Sequence, residues 1–205
     1  MVVIFDWDGT LHDSKYPVVL SWIETGKKFG VSLTEDKVLA CTGLDLNGIS
    51  DFLGFPDWHR EEAIANAVKI FRKEIMKKDY LFPNTRKTLD ELNTQHKIAL
   101  YTNGTSWLIN KLMEKYRLRD YFDVIVTSET SVKPSPDGID IILNELGEKK
   151  GFMIDDAPEG ILAAKQAGIP SIGAIYGMNP HRLRLASPDA VIRDVSEVPF
   201  VIKRF

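Results

Sequence analysis

The segment Asp6-Trp7-Asp8-Gly9-Thr10 follows directly on the first apolar run of the chain, Val2–Phe5. Alternation along an extended segment puts the Asp6 and Asp8 carboxylates on one side, roughly 7 Å apart. Gly9 lets the chain turn away without placing a side chain among them. Two acids this close to buried strand residues repel each other unless a cation or a substrate group joins them. Three other apolar runs end in groups that complement this pair. Ile98–Tyr101 ends in Thr102-Asn103-Gly104, Val124–Val126 leads on to Lys133-Pro134, and Phe152–Ile154 ends in Asp155-Asp156. Each has an ordinary reading by itself: two acids in a solvated loop, Thr102 as a helix cap, Lys133 as a surface lysine, Asp155-Asp156 capping a helix that begins near Pro158. Together they supply a nucleophile and acid pair, a hydroxyl donor, a cation and a second acidic pair. That set is what phosphoryl transfer requires, namely positioning, metal charge and neutralisation of phosphate oxygens.

The elements that must position these groups are legible as alternating patterns. Short runs apolar on both faces occur at Val2–Phe5, Ile98–Tyr101, Val124–Val126, Gly151–Ile154, Ser171–Ile175 and Ala190–Ile192. Such runs are strands of a parallel sheet covered on both sides. Helical segments lie between them. Thr85–Gln95 has Asn84 or Thr85 as its cap, Ser106–Tyr116 has Ser106, and Pro136–Leu146 and Pro158–Ala167 stop at Gly147 and Gly168. Alternation of this kind predicts right-handed crossovers and a Rossmann-like α/β core whose strand ends converge on one edge.

One stretch breaks the alternation. From Lys15 to about Tyr80 the pattern is helical, over Tyr16–Phe29, Thr34–Ala40, Leu46–Phe52 and Arg60–Lys77. An insertion of this length after the first strand is a small domain rather than a connection. The expected division is therefore a core of residues 1–14 and 81–205 and a helical cap of residues 15–80, with hinges at Ser14–Pro17 and Lys78–Phe82.

At this point the sequence resembles the haloacid dehalogenase superfamily, in its phosphoglycolate phosphatase and β-phosphoglucomutase-like branch. The resemblance covers nearly the whole chain. It rests on Asp6-Trp7-Asp8-Gly9-Thr10-Leu11, Thr102-Asn103-Gly104 and Lys133-Pro134. The fourth motif is Asp155-Asp156 followed by Gly160-Ile161-Leu162-Ala163-Ala164 and Ala167-Gly168. It departs from many relatives in having Ala157 where serine is common and Gly160 where a carboxylate is.

The resemblance implies a role for each residue. Asp6 is the nucleophile that takes the phosphoryl group, and Asp8 protonates the leaving oxygen and then activates water. Thr102 holds a phosphate oxygen, Lys133 neutralises charge, and the backbone amides of Trp7 and Asn103 add phosphate contacts. Mg2+ is coordinated by Asp6, the backbone carbonyl of Asp8 and Asp156, with Asp155 beside it, an all-oxygen site suited to a hard cation. An acid at position 8 separates phosphatases from dehalogenases of the superfamily, whose leaving halide needs no proton. The implied activity is hydrolysis of a small phosphorylated metabolite, phosphoglycolate- or sugar-phosphate-like. A phosphomutase is the alternative within enzymes. A receiver-type signalling module fits less well, because its acceptor aspartate comes after the first strand and it has no cap. A non-catalytic phosphate-binding protein would not need all four motifs.

Composition narrows the classes. Of 205 residues 44% are hydrophobic and 27% charged, which is enough for a packed core. A net charge of −3 favours neither nucleic acid nor a membrane surface as partner. The apolar start is cut by acid after five residues, so it reads as neither signal peptide nor membrane span. The expectation is a soluble cytoplasmic protein, monomer or homodimer. Cys41 reads as a small buried hydrophobe, and Trp22, Phe29, Trp58 and Phe71 as packing of the helical insert. Trp7 faces away from the two aspartates, and His12 is a loop bystander. Asp13 and Ser14 cap a helix or form the first hinge. The basic cluster Lys69–Lys78, with Arg72 and Lys73, is a solvated helix face, or else sends one cation down to a substrate carboxylate or second phosphate. The loop Cys41–Gly48 is the candidate specificity loop.

Overall fold

The computed structural model describes residues 1–178 and 180–205. Among these, six strands form one parallel sheet: β1 (Val2–Phe5), β2 (Lys97–Tyr101), β3 (Val124–Val126), β4 (Gly151–Asp155), β5 (Ser171–Ala174) and β6 (Ala190–Ile192), in the order β3-β2-β1-β4-β5-β6. The chain moves outward in one direction from β1 through β3, then returns to pair β4 against β1 with Ile4 opposite Met153. That reversal between β1 and β4 is the switch point at which open α/β sheets leave a crevice beyond their carboxyl ends.

The strands are short and apolar on both faces because both faces are covered. Val3 and Phe5 pack into one cluster with Leu100 and Ile154, and Val2 and Ile4 into the opposite cluster with Tyr101 and Met153. All four β1 residues are fully buried. Each such side chain contributes about 1.5–3 kcal/mol by leaving water, which holds β1 firmly beside the site.

The helical insert comprises α1 (Lys15–Phe29), α2 (Glu35–Leu39), α3 (Leu46–Leu53) and α4 (Arg60–Ile75). It has its own apolar cluster, with Val19 and Trp22 of α1 against Ala63 and Ala67 of α4. Alanine at successive turns of α4 presents a low ridge, so α1 can lie close against it. Entry and exit of the insert run side by side: the Asp13 amide donates to the Tyr80 carbonyl at 2.6 Å and the Phe82 amide to the Leu11 carbonyl at 3.1 Å. Covering the sheet are α5 (Thr85–Asn93), α6 (Ser106–Tyr116), α7 (Asp137–Glu145) and α8 (Pro158–Gln166), followed by α9 (Pro180–Leu185).

Several local expectations are corrected. Ser106 opens α6 rather than capping it; its amide is taken by the Glu129 carboxylate at 3.0 Å. Asn84 stands at the cap position of α5 with φ +67°, but its amide donates to Asp194 at 3.1 Å instead of the helix receiving a side-chain cap. Ser14 precedes α1 without a side-chain cap bond. Trp58 is 80% exposed, because it lies in a short 3-10 turn beside α4 rather than on a buried face. Cys41 is buried as expected, and burial pushes its thiol up to about 11. No helix among the described residues is long and apolar enough to cross a membrane.

Candidate active site

Asp6 is the first residue past β1, and its amide donates to the Ile154 carbonyl at 2.9 Å. The β1–β4 ladder thus continues one step beyond the strand and carries Asp6 alongside Asp155, the last residue of β4. Ligand oxygens of Asp6, Asp155 and Asp156 lie within 4.8 Å of one another, and all three residues are buried. Lys133, reached from β3, closes the group. Its ammonium donates to Oδ1 of Asp6 and to Oδ2 of Asp155, both at 2.6 Å, with the lysine only 5% exposed.

The remaining oxygens are not equivalent. Oδ1 of Asp155 accepts the Ala157 amide at 2.7 Å, so both its oxygens are committed within the protein. Asp156 accepts the Met178 amide on Oδ2 at 2.7 Å and keeps Oδ1 for another partner. Asp6 likewise has Lys133 on Oδ1 and no donor from the described residues on Oδ2. Asp155 fits only because residue 160 is glycine. A Cβ there would stand 1.9 Å from Oδ2 of Asp155. The glycine that departs from the common family pattern is thus the space the lysine-bound carboxylate occupies.

Electrostatics follow from burial. It pushes Asp6 up to about 8 against the pull of Lys133, which favours ionisation. Asp155 is raised by burial despite Lys133, and Asp156 well above the ordinary carboxylate range by burial, then by Asp155 and Asp6. Burial opposes the Lys133 charge as well, but Asp155 and then Asp6 outweigh it and hold the ammonium above its usual value. Three buried acids against one buried cation leave negative charge uncompensated. The donor set is all oxygen, so the cluster fits a hard divalent cation.

The other sequence candidates border the same cavity of about 160 Å³ between the strand ends and the insert, where Asp8, Thr102 and Asn103 join Asp6, Lys133, Asp155 and Asp156. Thr102 is buried and its Oγ1 accepts the Gly104 amide at 3.1 Å, leaving its hydroxyl proton for a partner in the cavity. The backbone amides of Trp7 and Asn103 have no acceptor among the described residues. Asp8 is half-buried and its Oδ1 has no hydrogen-bond partner there. Trp7 lies off the cavity, as its alternation predicts, stacked on His12 with ring centroids 5.3 Å apart. His12 is buried, hydrogen-bonded to the Tyr116 hydroxyl at 3.2 Å, and 3.8 Å from the Asp8 carboxylate, so it supports the loop from beneath.

Two contacts between insert and core were not legible in the sequence. The Asn103 side chain donates to the Gly43 carbonyl at 3.0 Å while its Oδ1 accepts the Lys133 amide at 2.8 Å. Arg182 of α9 donates to the Thr42 carbonyl and to Glu159, both at 2.6 Å. The loop carrying Thr42 and Gly43, with Leu44 and Leu46 after it, therefore forms part of the cavity wall. Helix α9 has six residues, too few for a readable period, so nothing pointed to Arg182 beforehand. Glu159 could have been found as the one acid in the first turn of α8.

Comparison with known proteins gives concordant results. A family profile described as haloacid dehalogenase-like hydrolase matches residues 3–174. A phosphoglycolate phosphatase of Aquifex aeolicus is 31% identical over 186 residues, covering 86% of this chain and 85% of that protein. A phosphoglycolate phosphatase of Vibrio cholerae is 28% identical, covering 98% and 96%. Among solved structures, one described as a predicted phosphoglycolate phosphatase from Haemophilus somnus superposes with a TM-score of 0.89 at 20% identity, covering 98% of this chain and 97% of that one, a likeness of fold.

Proposed function

The chain belongs to the haloacid dehalogenase-like hydrolase family, and from that premise we propose that it hydrolyses small phosphomonoesters with Mg2+, through an aspartyl-phosphate on Asp6. The enzyme is a phosphatase; the proposal concerns its metal, its intermediate and the part each residue plays. The observation that carries it is the division of labour around Lys133, which occupies one oxygen of Asp6 and leaves Oδ2 without a donor among the described residues.

Oδ2 of Asp6 attacks phosphorus as the ester oxygen departs with a proton from the Asp8 carboxyl group. The Asp8 carboxylate then takes a proton from the water that attacks the same phosphorus. The bond from phosphorus to Asp6 breaks, giving inorganic phosphate and the original carboxylate. Thr102 and the amides of Trp7 and Asn103 donate to the phosphoryl oxygens, and Lys133 balances the charge that gathers beside Asp6. The residues that would hold Mg2+ are Asp6, Asp156 and the backbone carbonyl of Asp8. Asp155 is spoken for by Lys133 and Ala157, which favours a place outside the direct coordination shell. Bound there, the cation supplies charge that keeps Asp6 ionised at neutral pH and screens the incoming phosphate.

Residues 15–80 act as a cap in this reading. They exclude bulk water and select the leaving group, and they move about the paired segments near Asp13 and Tyr80. The setting is a cytoplasmic enzyme acting on phosphoglycolate- or sugar-phosphate-like metabolites. The test is phosphate release from a panel of such esters with and without Mg2+, beside Asp6→Asn. Release that needs Mg2+ and is lost in Asp6→Asn is expected. Release that persists in folded Asp6→Asn would remove Asp6 as nucleophile.

A further inference from the structure

The cavity above the acidic cluster has two parts of different character. Its floor is polar and charged. Its wall, from the insert and α6, is apolar, with Val18, Trp22, Leu44, Leu46, Ile49 and Leu108 among its lining. Besides the hydroxyls of Ser21, Thr42 and Thr105, one charged side chain interrupts this wall. Arg72 of α4 lines the same cavity, and its guanidinium carbon lies 4.2 Å from the ring centroid of Trp107 on α6.

Arg72 differs from Lys133 in having no counter-charge among the described residues. Lys133 is bound by two carboxylates. No carboxylate of the described residues pairs with Arg72, and its Nε is buried without a hydrogen-bond partner. A guanidinium always carries its charge, and a stacked, planar one presents a fixed fork of donors. Held against an indole face and short of acceptors, that fork matches an oxyanion brought in from outside. The acids at the floor are committed to Lys133 and to the metal proposed above, so the anion has to come with the substrate.

The apolar wall constrains what lies between the two anions. The Ser21 and Thr42 hydroxyls on this wall already donate to the Val18 and Leu39 carbonyls. A polyhydroxylated leaving group would therefore set most of its hydroxyls against hydrocarbon, and unpaired buried hydroxyls are unfavourable. A hydrocarbon spacer has no such need. Resting on the phosphatase reading above, we propose that Arg72 binds a terminal oxyanion on the leaving group. The preferred substrates are then phosphomonoesters of hydroxy acids, or bisphosphates, with an apolar chain between the two anionic ends. Arg72 is accordingly the residue that sets specificity, and Trp107 holds its guanidinium flat.

The experiment compares kcat/KM for a series of phosphorylated ω-hydroxy acids of increasing chain length with their uncharged amides, the matching bisphosphates and a sugar phosphate. Wild type and Arg72→Gln are assayed, with Arg72→Lys as a variant that keeps the charge but not the fork. The wild type is expected to favour acid over amide by about tenfold or more, and Arg72→Gln to reduce that ratio to about unity. Arg72→Lys is expected to fall between them. The bisphosphates show whether carboxylate or phosphate is the better terminal group; discrimination against the amide by either supports the proposal. Non-hydrolysable phosphonate analogues, titrated calorimetrically into both proteins, give the same comparison without turnover. If acid and amide are equal in the wild type, or the preference survives Arg72→Gln, the proposal is overturned while the phosphatase reading stands. If Mg2+-dependent release from every ester is absent, the phosphatase reading fails and the proposal with it.

Discussion

The ammonium of Lys133 donates to Oδ1 of Asp6 across 2.6 Å, joining two residues 127 positions apart. It is also the nearest cation to Asp155. Replacing it with methionine leaves two buried carboxylates without a cation, and breaking a buried pair in this way is destabilising by about 3–5 kcal/mol. Lys133→Met is therefore expected to melt well below wild type in metal-free buffer, and to regain part of the difference in Mg2+. Differential scanning calorimetry with and without the cation checks this, and an unchanged melting temperature would count against it.

Asp8 has no hydrogen-bond partner on Oδ1 among the described residues and makes no bond to Lys133. Asp8→Asn is expected to fold normally and to lose about 10²–10⁴ in kcat on alkyl phosphates, where the leaving oxygen needs a proton. The loss should be smaller for phosphoryl transfer from an aryl phosphate, whose phenolate departs without one. Burst kinetics with the aryl ester separate the two steps. An equal loss of the transfer step on both substrates would contradict the assignment of Asp8 as acid.

Burial raises Asp6 to about 8 and also raises Asp155 and Asp156 above their ordinary values. Between the unfolded carboxylate value and those raised values the folded protein binds more protons than the unfolded chain. Stability then falls as pH rises through that window, from near 4 towards 8. Metal-free protein is expected to unfold more easily at pH 8 than at pH 5, and Mg2+ to restore more stability at the higher pH, where protons no longer compete for the oxygens. Melting curves in chelator and in Mg2+ at both values decide it.

Gly160 stands where a Cβ would come within 1.9 Å of the Asp155 carboxylate. Gly160→Ala must displace Asp155, and Lys133 with it. A loss of activity by more than about tenfold is expected, since displacement by a fraction of an ångström near the reacting atoms has that effect. The comparison is Gly147→Ala, just past α7, where φ is +65° and the space is open; it carries backbone strain without touching the site, so it separates a local effect on the site from general destabilisation.

The alternation of short strands and helices made the core legible, because each strand is apolar on both faces and bounded by a turn. The four strand-end motifs were legible for the same reason: parallel strands bring their carboxyl ends together, so order along the chain predicts meeting in space. What lay hidden depends on long-range partners. Asn84 and Ser106 look like caps locally, yet their bonds go to Asp194 and Glu129. Trp58 has the composition of a core residue and lies in solvent. Arg72 sat in a basic helix whose pattern could not say which cation turns inward; Trp107, on another element, decides that.

The core grips the loop at Thr42 and Gly43 through main-chain oxygens, from Arg182 and Asn103. A carbonyl is present whatever side chain the residue carries, so most positions of this loop can mutate without loosening its seat. Gly43 is the exception, with φ +98° and Glu159 pressed where its Cβ would be. The loop is thus anchored by what cannot vary and faces the substrate with what can, an arrangement that lets selectivity drift over generations while docking and chemistry stay intact.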